Sequence, residues 1–373
     1  MISRRAAGVE ASGIRKIFER VASMEDPINL SIGQAHFDVP EAVKEAAIAA
    51  IRAGNNRYTV TQGLPELNEA ILARLADKYG YRGEHSIVTL GVSGGLLLGY
   101  LGLFDPGDHV LLPDPYFTMY PVLAQLVGAE WSPYELYPGT ALTREALEAA
   151  VRPNSKAILI NSPSNPSGRV LTPAELDVVG AFAEAHDLVV ISDEIYDEFV
   201  YDGPHASAVG HVADERLLLL GGFSKTYGMP GWRMGYAAGP EPLVDAMRRM
   251  QQFTFVCAPS MAQAACLAAL DVDMSAAITE YRGKRDRLVA GLSRHYELSV
   301  PGGSFYMFPR LPEGATGEEF VERALEQKLL VVPGKAFSAR DTHFRLSFAA
   351  TDDVLERGIE ALCQLAESFA KVG

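Results

Sequence analysis

Leu217-Leu218-Leu219-Leu220-Gly221-Gly222-Phe223-Ser224-Lys225 reads as an apolar strand that stops on two glycines and is followed closely by a lysine. A strand of four leucines has no polar face, which suits a strand covered on both sides by helices. Lysine is almost never buried without a partner, so its place at such a strand end is unusual. Loss of water there would lower its pKa and supply the neutral amine that forms an imine, although a surface salt bridge is the plainer reading of one lysine.

Similar runs occur upstream, at Ile87-Val88-Thr89-Leu90, Val110-Leu111-Leu112, Ala157-Ile158-Leu159-Ile160 and Val189-Val190-Ile191. Each is followed by turn residues, and helix-like segments lie between them. This alternation predicts an α/β protein with a mostly parallel sheet. Thr172-Pro173-Ala174-Glu175 predicts a capped helix start, with Leu176, Val179, Gly180 and Ala183 on its inner face. The pattern changes after residue 272. Helix-like text over 274–293 and 317–328, short strands near 329–332 and 344–348, and a last helix from Thr351 predict a smaller α+β domain. We therefore expect an N-terminal arm over 1–40 that packs on the small domain, a large domain over 41–272 and the small domain over 273–373.

The composition narrows the function. The chain has 373 residues, too many for one ordinary core, and 48% are hydrophobic, as in globular proteins. With 47 acidic against 33 basic residues the net charge is −14, which disfavours general nucleic-acid binding. Three cysteines without a CxxC pair and eight histidines without HxxxH or HxH spacing give no support for a disulfide scaffold or a metal site. Arg4-Arg5 could open an export signal, but Glu10, Arg15 and Lys16 interrupt the apolar segment that would follow. The longest apolar run, Gly95 to Phe104, is shorter than the roughly 20 residues of a membrane span. The expectation is a cytoplasmic protein with no membrane or nucleic-acid partner.

Ligands of open α/β sheets bind beyond the carboxyl ends of the strands, which limits the search. After Leu90 come Gly91-Val92-Ser93-Gly94-Gly95 and then a helix beginning near Leu96, a turn whose backbone N–H groups suit a phosphate. It has neither GxxxxGK[ST] nor GxGxxG spacing, and a tight turn with no ligand reads equally well. After Ile160 comes Asn161-Ser162-Pro163-Ser164-Asn165-Pro166-Ser167-Gly168, a loop that either aims the Asn165 amide or is a plain proline-rich turn. After Ile191 comes Ser192-Asp193-Glu194-Ile195-Tyr196, where the Asp193 carboxylate needs a cation or donors unless it is a helix N-cap. Arg233 follows Lys225 by eight positions and can clamp a phosphate. Together, a phosphate cradle, an imine-forming lysine, a carboxylate and an arginine on successive strand ends meet the needs of pyridoxal 5′-phosphate.

On these blocks the chain resembles the class I/II aminotransferases, the fold type I pyridoxal-phosphate enzymes. The most specific block runs from Phe223-Ser224-Lys225-Thr226-Tyr227 through Gly231-Trp232-Arg233-Met234-Gly235-Tyr236. Asp105-Pro106-Gly107-Asp108, Pro113-Asp114-Pro115-Tyr116-Phe117, Asn165-Pro166-Ser167-Gly168 and Asp193-Glu194-Ile195-Tyr196 support it, and the match extends from Ser31-Ile32-Gly33-Gln34 to Phe344-Arg345-Leu346-Ser347.

The resemblance implies a large domain with a mostly parallel seven-stranded sheet between helices. It implies that Lys225 forms the Schiff base, Asp193 pairs with the pyridinium nitrogen, and Asn165 and Tyr196 bond the phenolic oxygen. Phe117 would stack on the ring, with Val92, Ser93, Gly94 and Arg233 on the phosphate. Tyr58 would reach the phosphate of the neighbouring subunit, making a homodimer with shared active sites. Arg345 would hold the substrate carboxylate, with Gly33 in the segment closing over it. Without the resemblance, Arg345 reads as a strand-edge salt bridge, and Tyr58 and Phe117 as aromatic packing. Two departures stand out: Gly222 where many relatives have Ser, and Phe117 where Trp is common.

The expected function is an amino acid:2-oxo acid aminotransferase, taking aspartate or a neutral or aromatic amino acid as donor and 2-oxoglutarate or pyruvate as acceptor. A C–S β-lyase on the same scaffold is the alternative, because it would use the same cofactor residues. A non-catalytic regulator is disfavoured: the match starts by Ser31, Lys225 is present and the chain is acidic.

Overall fold

The computed structural model describes residues 1–9 and 24–370. Residues 10–23 of the expected arm, including Glu10, Arg15 and Lys16, lie outside the described residues. Strand β1 (Ile28–Asn29) comes first. The central sheet follows with β2 (Ser86–Leu90), β3 (His109–Asp114), β4 (Glu130–Glu135), β5 (Ser155–Asn161), β6 (Val189–Asp193), β7 (Leu217–Gly222) and β8 (Met234–Ala238). The later strands are β9 (Tyr306–Met307), β10 (Leu329–Leu330), β11 (Val332–Pro333) and β12 (Phe344–Ser347).

The seven-stranded sheet has the order β2-β8-β7-β6-β5-β3-β4. Strands β3 to β7 pair in parallel, while β8 is antiparallel to both β7 and β2. Strand β2 therefore runs with β3–β7, and the carboxyl ends of all six lie along one edge. The chain steps from β3 outward to β4, then passes back beside β3 to β5 and on to β6 and β7. Such a reversal opens a crevice beyond the strand ends.

The apolar runs behave as their composition demands. Leu217–Leu220, Ile158–Ile160 and Val190–Ile191 are all buried. The predicted helix spans Pro173–Ala185, and Thr172 and Glu175 form a reciprocal capping box. Two strands were not legible beforehand. The edge strand β4 alternates exposed and buried residues and carries two glutamates, and β8 sits within the lysine block.

The glycine-rich segment after β2 corrects an expectation. The helix starts at Gly91 and runs to Leu103, so Val92, Ser93 and Gly94 are its first turn, with no separate turn before Leu96. The reason is packing on the sheet. A Cβ on Gly99 would stand 2.8 Å from Leu218 Cδ2, and one on Gly95 would stand 3.0 Å from Leu220 Cδ2. The glycines let the helix lie close to β7, the strand that leads to the lysine.

The C-terminal third forms a second, smaller sheet, β11-β12-β9, all antiparallel. Helices Ser275–Leu292 and Asp352–Ala370 pack together beside it. Strand β1 pairs in parallel with β10, and Leu30 O accepts from Ser347 N at 2.7 Å. The segment after β1 is thereby fixed beside β12, which carries Arg345. No single described helix is long and apolar enough to cross a membrane.

Two substitutions test this packing by urea unfolding. Thr172→Ala removes the capping oxygen and should lower stability by about 1 kcal/mol. Gly99→Leu forces a side chain into the helix–sheet contact and should cost about 1–3 kcal/mol.

Candidate active site

A cavity of about 400 Å³ opens beyond the carboxyl ends of β2, β3, β5, β6 and β7. Its wall is completed by Ile32, Gly33 and Gln34, and by Tyr306 and Arg345 from the smaller sheet. The cavity brings together ten residues expected from the sequence: Lys225, Asp193, Tyr196, Val92, Ser93, Phe117, Asn165, Arg233, Gly33 and Arg345.

Lys225 stands three residues beyond β7, in a turn that follows the strand. Its Nζ donates to Gly33 O at 2.6 Å, and among the described residues it makes no ion pair. Burial, then the neighbouring Arg345, bring its pKa down to about 8; Asp193 opposes this and Arg233 adds to it. A useful fraction of the amine is therefore neutral near physiological pH, as a nucleophile and proton acceptor needs. The surface salt bridge considered for this lysine is not formed.

Asp193 ends β6 and is buried. Tyr120 Oη donates to Oδ2 at 2.8 Å and the Ile195 backbone N–H to Oδ1 at 3.2 Å. Burial raises the carboxyl to about 6, while Tyr120, Ile195 and Lys225 pull it back toward ionisation. A cation brought into the cavity would complete that ionisation. The residues directly after Asp193 form turns and start no helix, so the N-cap alternative fails.

Arg345 is 2% exposed in the middle of β12. Nη1 donates to Asn165 Oδ1 at 3.0 Å and Nη2 to Ser31 O at 2.9 Å, while Nε has no partner among the described residues. The guanidinium lies over the rings of Tyr306 at 4.6 Å and Phe337 at 4.8 Å. Among the described residues no carboxylate pairs with it, so the strand-edge salt bridge is absent. A buried guanidinium held only by neutral acceptors, on a cavity wall, is built to receive an anion.

The neighbouring polar groups are similarly aimed. Asn165 N–H is fixed by Asn161 Oδ1 at 2.9 Å, and its own Oδ1 is taken by Arg345, which leaves the side-chain NH₂ to donate. Tyr196 Oη lies 3.1 Å from Tyr306 Oη, and burial holds the Tyr196 hydroxyl protonated. Val92 and Ser93 present the start of the 91–103 helix to the cavity, and its dipole favours an anion. Arg233, at φ 58°, is braced by Pro230 O at 2.9 Å and Leu90 O at 3.3 Å near that helix start. Phe117 lines the cavity, edge-on to Tyr120 at 5.6 Å.

Two expected residues are not brought in. Gly94 faces Leu90, Thr89 and Phe255 and does not line the cavity, because the segment is already helical there. Tyr58 is 84% exposed and away from this chain's cavity. Gly222 has a local cause: a Cβ there would meet Ile195 Cδ1 at 3.0 Å and Met234 O at 3.2 Å, leaving little room for a serine.

Sequence reasoning missed Tyr120, Tyr306, Ser224 and Thr118, all of which line the cavity. Tyr120 and Thr118 follow β3 closely and Ser224 adjoins the lysine, so the strand-end rule had the signal. Tyr306 comes from the other sheet and gave none.

The family model for aminotransferase class I and II matches residues 25–362. A probable aspartate aminotransferase of Methanocaldococcus jannaschii is 34% identical, covering 98% of this chain and 100% of that protein. Aromatic-amino-acid aminotransferase 2 of Thermococcus litoralis is also 34% identical, with 97% of each chain covered. The solved structure of Thermus thermophilus aspartate aminotransferase with maleate superposes with a TM-score of 0.94 at 32% identity, over 98% of this chain and 99% of that one.

The electrostatics give a test that needs no cofactor. A small aromatic aldehyde, trapped on Lys225 with borohydride and quantified on its peptide, should react with a pH midpoint near 8. In Arg345→Met the loss of a neighbouring cation should move the midpoint upward; a midpoint at the ordinary lysine value in both proteins would contradict the described environment.

Proposed function

The chain belongs to the class I and II aminotransferases and is a pyridoxal-phosphate-dependent aminotransferase of fold type I; we propose that the cavity described above is its active site. We propose further that the donor is aspartate or a neutral or aromatic α-amino acid, with 2-oxoglutarate or pyruvate as acceptor. Relatives named for aspartate and for aromatic amino acids support the aspartate and aromatic parts of that donor range. The observation that carries the reading is Arg345: a buried guanidinium with no acidic partner among the described residues, on the wall of the cavity that holds a desolvated lysine.

The residues fit the cofactor. When bound, pyridoxal phosphate supplies an aldehyde that takes up the amino group and a ring that accepts electrons. Lys225 offers a low-pKa amine for attachment, and the buried Asp193 carboxylate faces the cavity to hold a protonated ring nitrogen. The first helical N–H groups at Val92 and Ser93, with Arg233, would hold the phosphate. The Asn165 NH₂ and the Tyr196 hydroxyl would serve the phenolic oxygen, and Phe117 would offer an apolar surface to the ring; all three line the cavity. Arg345 would bind the α-carboxylate with Asn165 beside it, on the wall of the cavity that also holds Lys225. Lys225 Nζ then moves the Cα proton, a task suited to a base with a pKa near neutrality.

Tyr58 acts in this reading on a second copy of the chain, so the enzyme is a homodimer with shared sites. Val60, Met250, Phe253 and Val256 are exposed apolar residues of the same loop and of the Glu241–Thr254 helix end, and they suit such an interface. The division into a 41–272 unit with the cofactor residues and a 273–373 unit with Arg345 belongs to the same proposal.

The test is a half-reaction on the cofactor-loaded protein with a panel of amino acids and no acceptor. The absorbance near 400–430 nm (about the range of a lysine-bound cofactor) should pass to a band near 330 nm (about that of the aminated form), fastest for the true donor. Release of pyruvate and ammonia from cysteine conjugates instead would indicate β-elimination and contradict the proposal. Lys225→Ala should abolish turnover, and Arg345→Lys should lower kcat/KM by roughly a hundredfold.

A further inference from the structure

The segment 31–38 has no regular secondary structure, yet Ile32, Gly33 and Gln34 form part of the cavity wall. Two side chains that hold it are Arg345, on Ser31 O, and Lys225, on Gly33 O. In the proposed reaction these are the groups that substrate and cofactor engage. Lys225 gives up its contact whenever its amine is bonded. A wall held only in this way would loosen at the moment it is needed.

A second group of contacts lies at the other end of the segment and takes no part in the chemistry. The hydroxyl of Tyr281, a buried residue on the Ser275–Leu292 helix, accepts from His36 N–H at 3.0 Å and lies 2.9 Å from His36 Nδ1. His36 Nε2 lies 3.0 Å from Glu280 Oε1 and 3.2 Å from Lys284 Nζ. Lys284 is 1% exposed, pairs with Glu280 at 2.9 Å and Asp352 at 3.6 Å, and donates to Ala350 O. Burying an ammonium so fully is costly, and here it locks one helix to the segment and to the residues just beyond β12.

We propose that His36 is a positioning residue: bonded to Tyr281 and Glu280 beside Lys284, it holds residues 31–38 against the active site while Lys225 and Arg345 are engaged by substrate. The inference rests on the aminotransferase reading. Its ring is held neutral, because burial and then Lys284 lower its pKa, while Glu280 and Asp352 oppose that shift. The sign follows. A released ring takes up a proton at about 6.5, more readily than the docked ring. The attachment is therefore at full strength above that pH and weakens as pH falls through it.

The test is His36→Asn in the cofactor-loaded enzyme, with kcat and KM for the amino donor measured between pH 5.5 and 7.5. We expect the natural enzyme's KM to rise on the acid side and, in the variant, KM to be roughly tenfold higher, kcat to stay within about twofold, and the acid-side rise to be absent. An unchanged KM, an equal loss in kcat, or the same acid-side rise in the variant would overturn the proposal. Glu280→Gln is a second arm at a half-exposed side chain. Losing that carboxylate makes proton uptake by the docked ring harder, so the acid-side rise of KM should become larger; no change would again overturn the proposal. Failure of any donor to convert the cofactor would instead reject the aminotransferase reading itself.

Discussion

Three basic side chains, Lys225, Arg233 and Arg345, and one acid, Asp193, line a small cavity, and the rest of the structure is arranged around that imbalance. Lys225 and Arg345 both lack acidic partners among the described residues, and Asp193 is pushed toward its neutral form. An isolated buried charge is unfavourable, so such a site is stabilised by ligands that bring opposite charge. A phosphate, a protonated ring nitrogen and a substrate carboxylate would each answer one part of it. Burial in this cavity, and after it the Arg345 charge, lowers the lysine pKa, so binding and reactivity depend on the same surroundings.

The scaffold needed to hold these charges is a set of strand ends. Parallel pairing of β3–β7, with β2 running the same way, places six carboxyl ends on one edge and lets each contribute one or two side chains. Arg345 comes from a different sheet, and the segment after β1 bridges the two through Ser31 and Gly33. The His36 contacts extend that bridge to the helices behind β12.

Much of this was legible because strand ends are local. The apolar runs named their strands, and the residue after each run was the place to look. Lys225, Asp193 and Asn165 fell on that rule, and Phe117 and Arg345 came from the family resemblance. What was not legible depends on contacts between distant parts of the chain. The glycines at 94 and 95 read locally as a turn, whereas Gly95 is small because Leu220 lies against it within a helix. Tyr306 matters because the smaller sheet folds it against Tyr196, 110 positions away. Strand β4 was hidden by the polar alternation of a sheet edge. Tyr58 has a role only if a second chain is present, so its own stretch of sequence carries no local signal for that role.

The most direct measurement is a crystal structure of the protein with pyridoxal phosphate. The account requires continuous density from Lys225 Nζ to the cofactor, the ring nitrogen within hydrogen-bond distance of Asp193, and the phosphate at the start of the 91–103 helix beside Arg233. A cofactor joined to another lysine, or a ring turned away from Asp193, would contradict it.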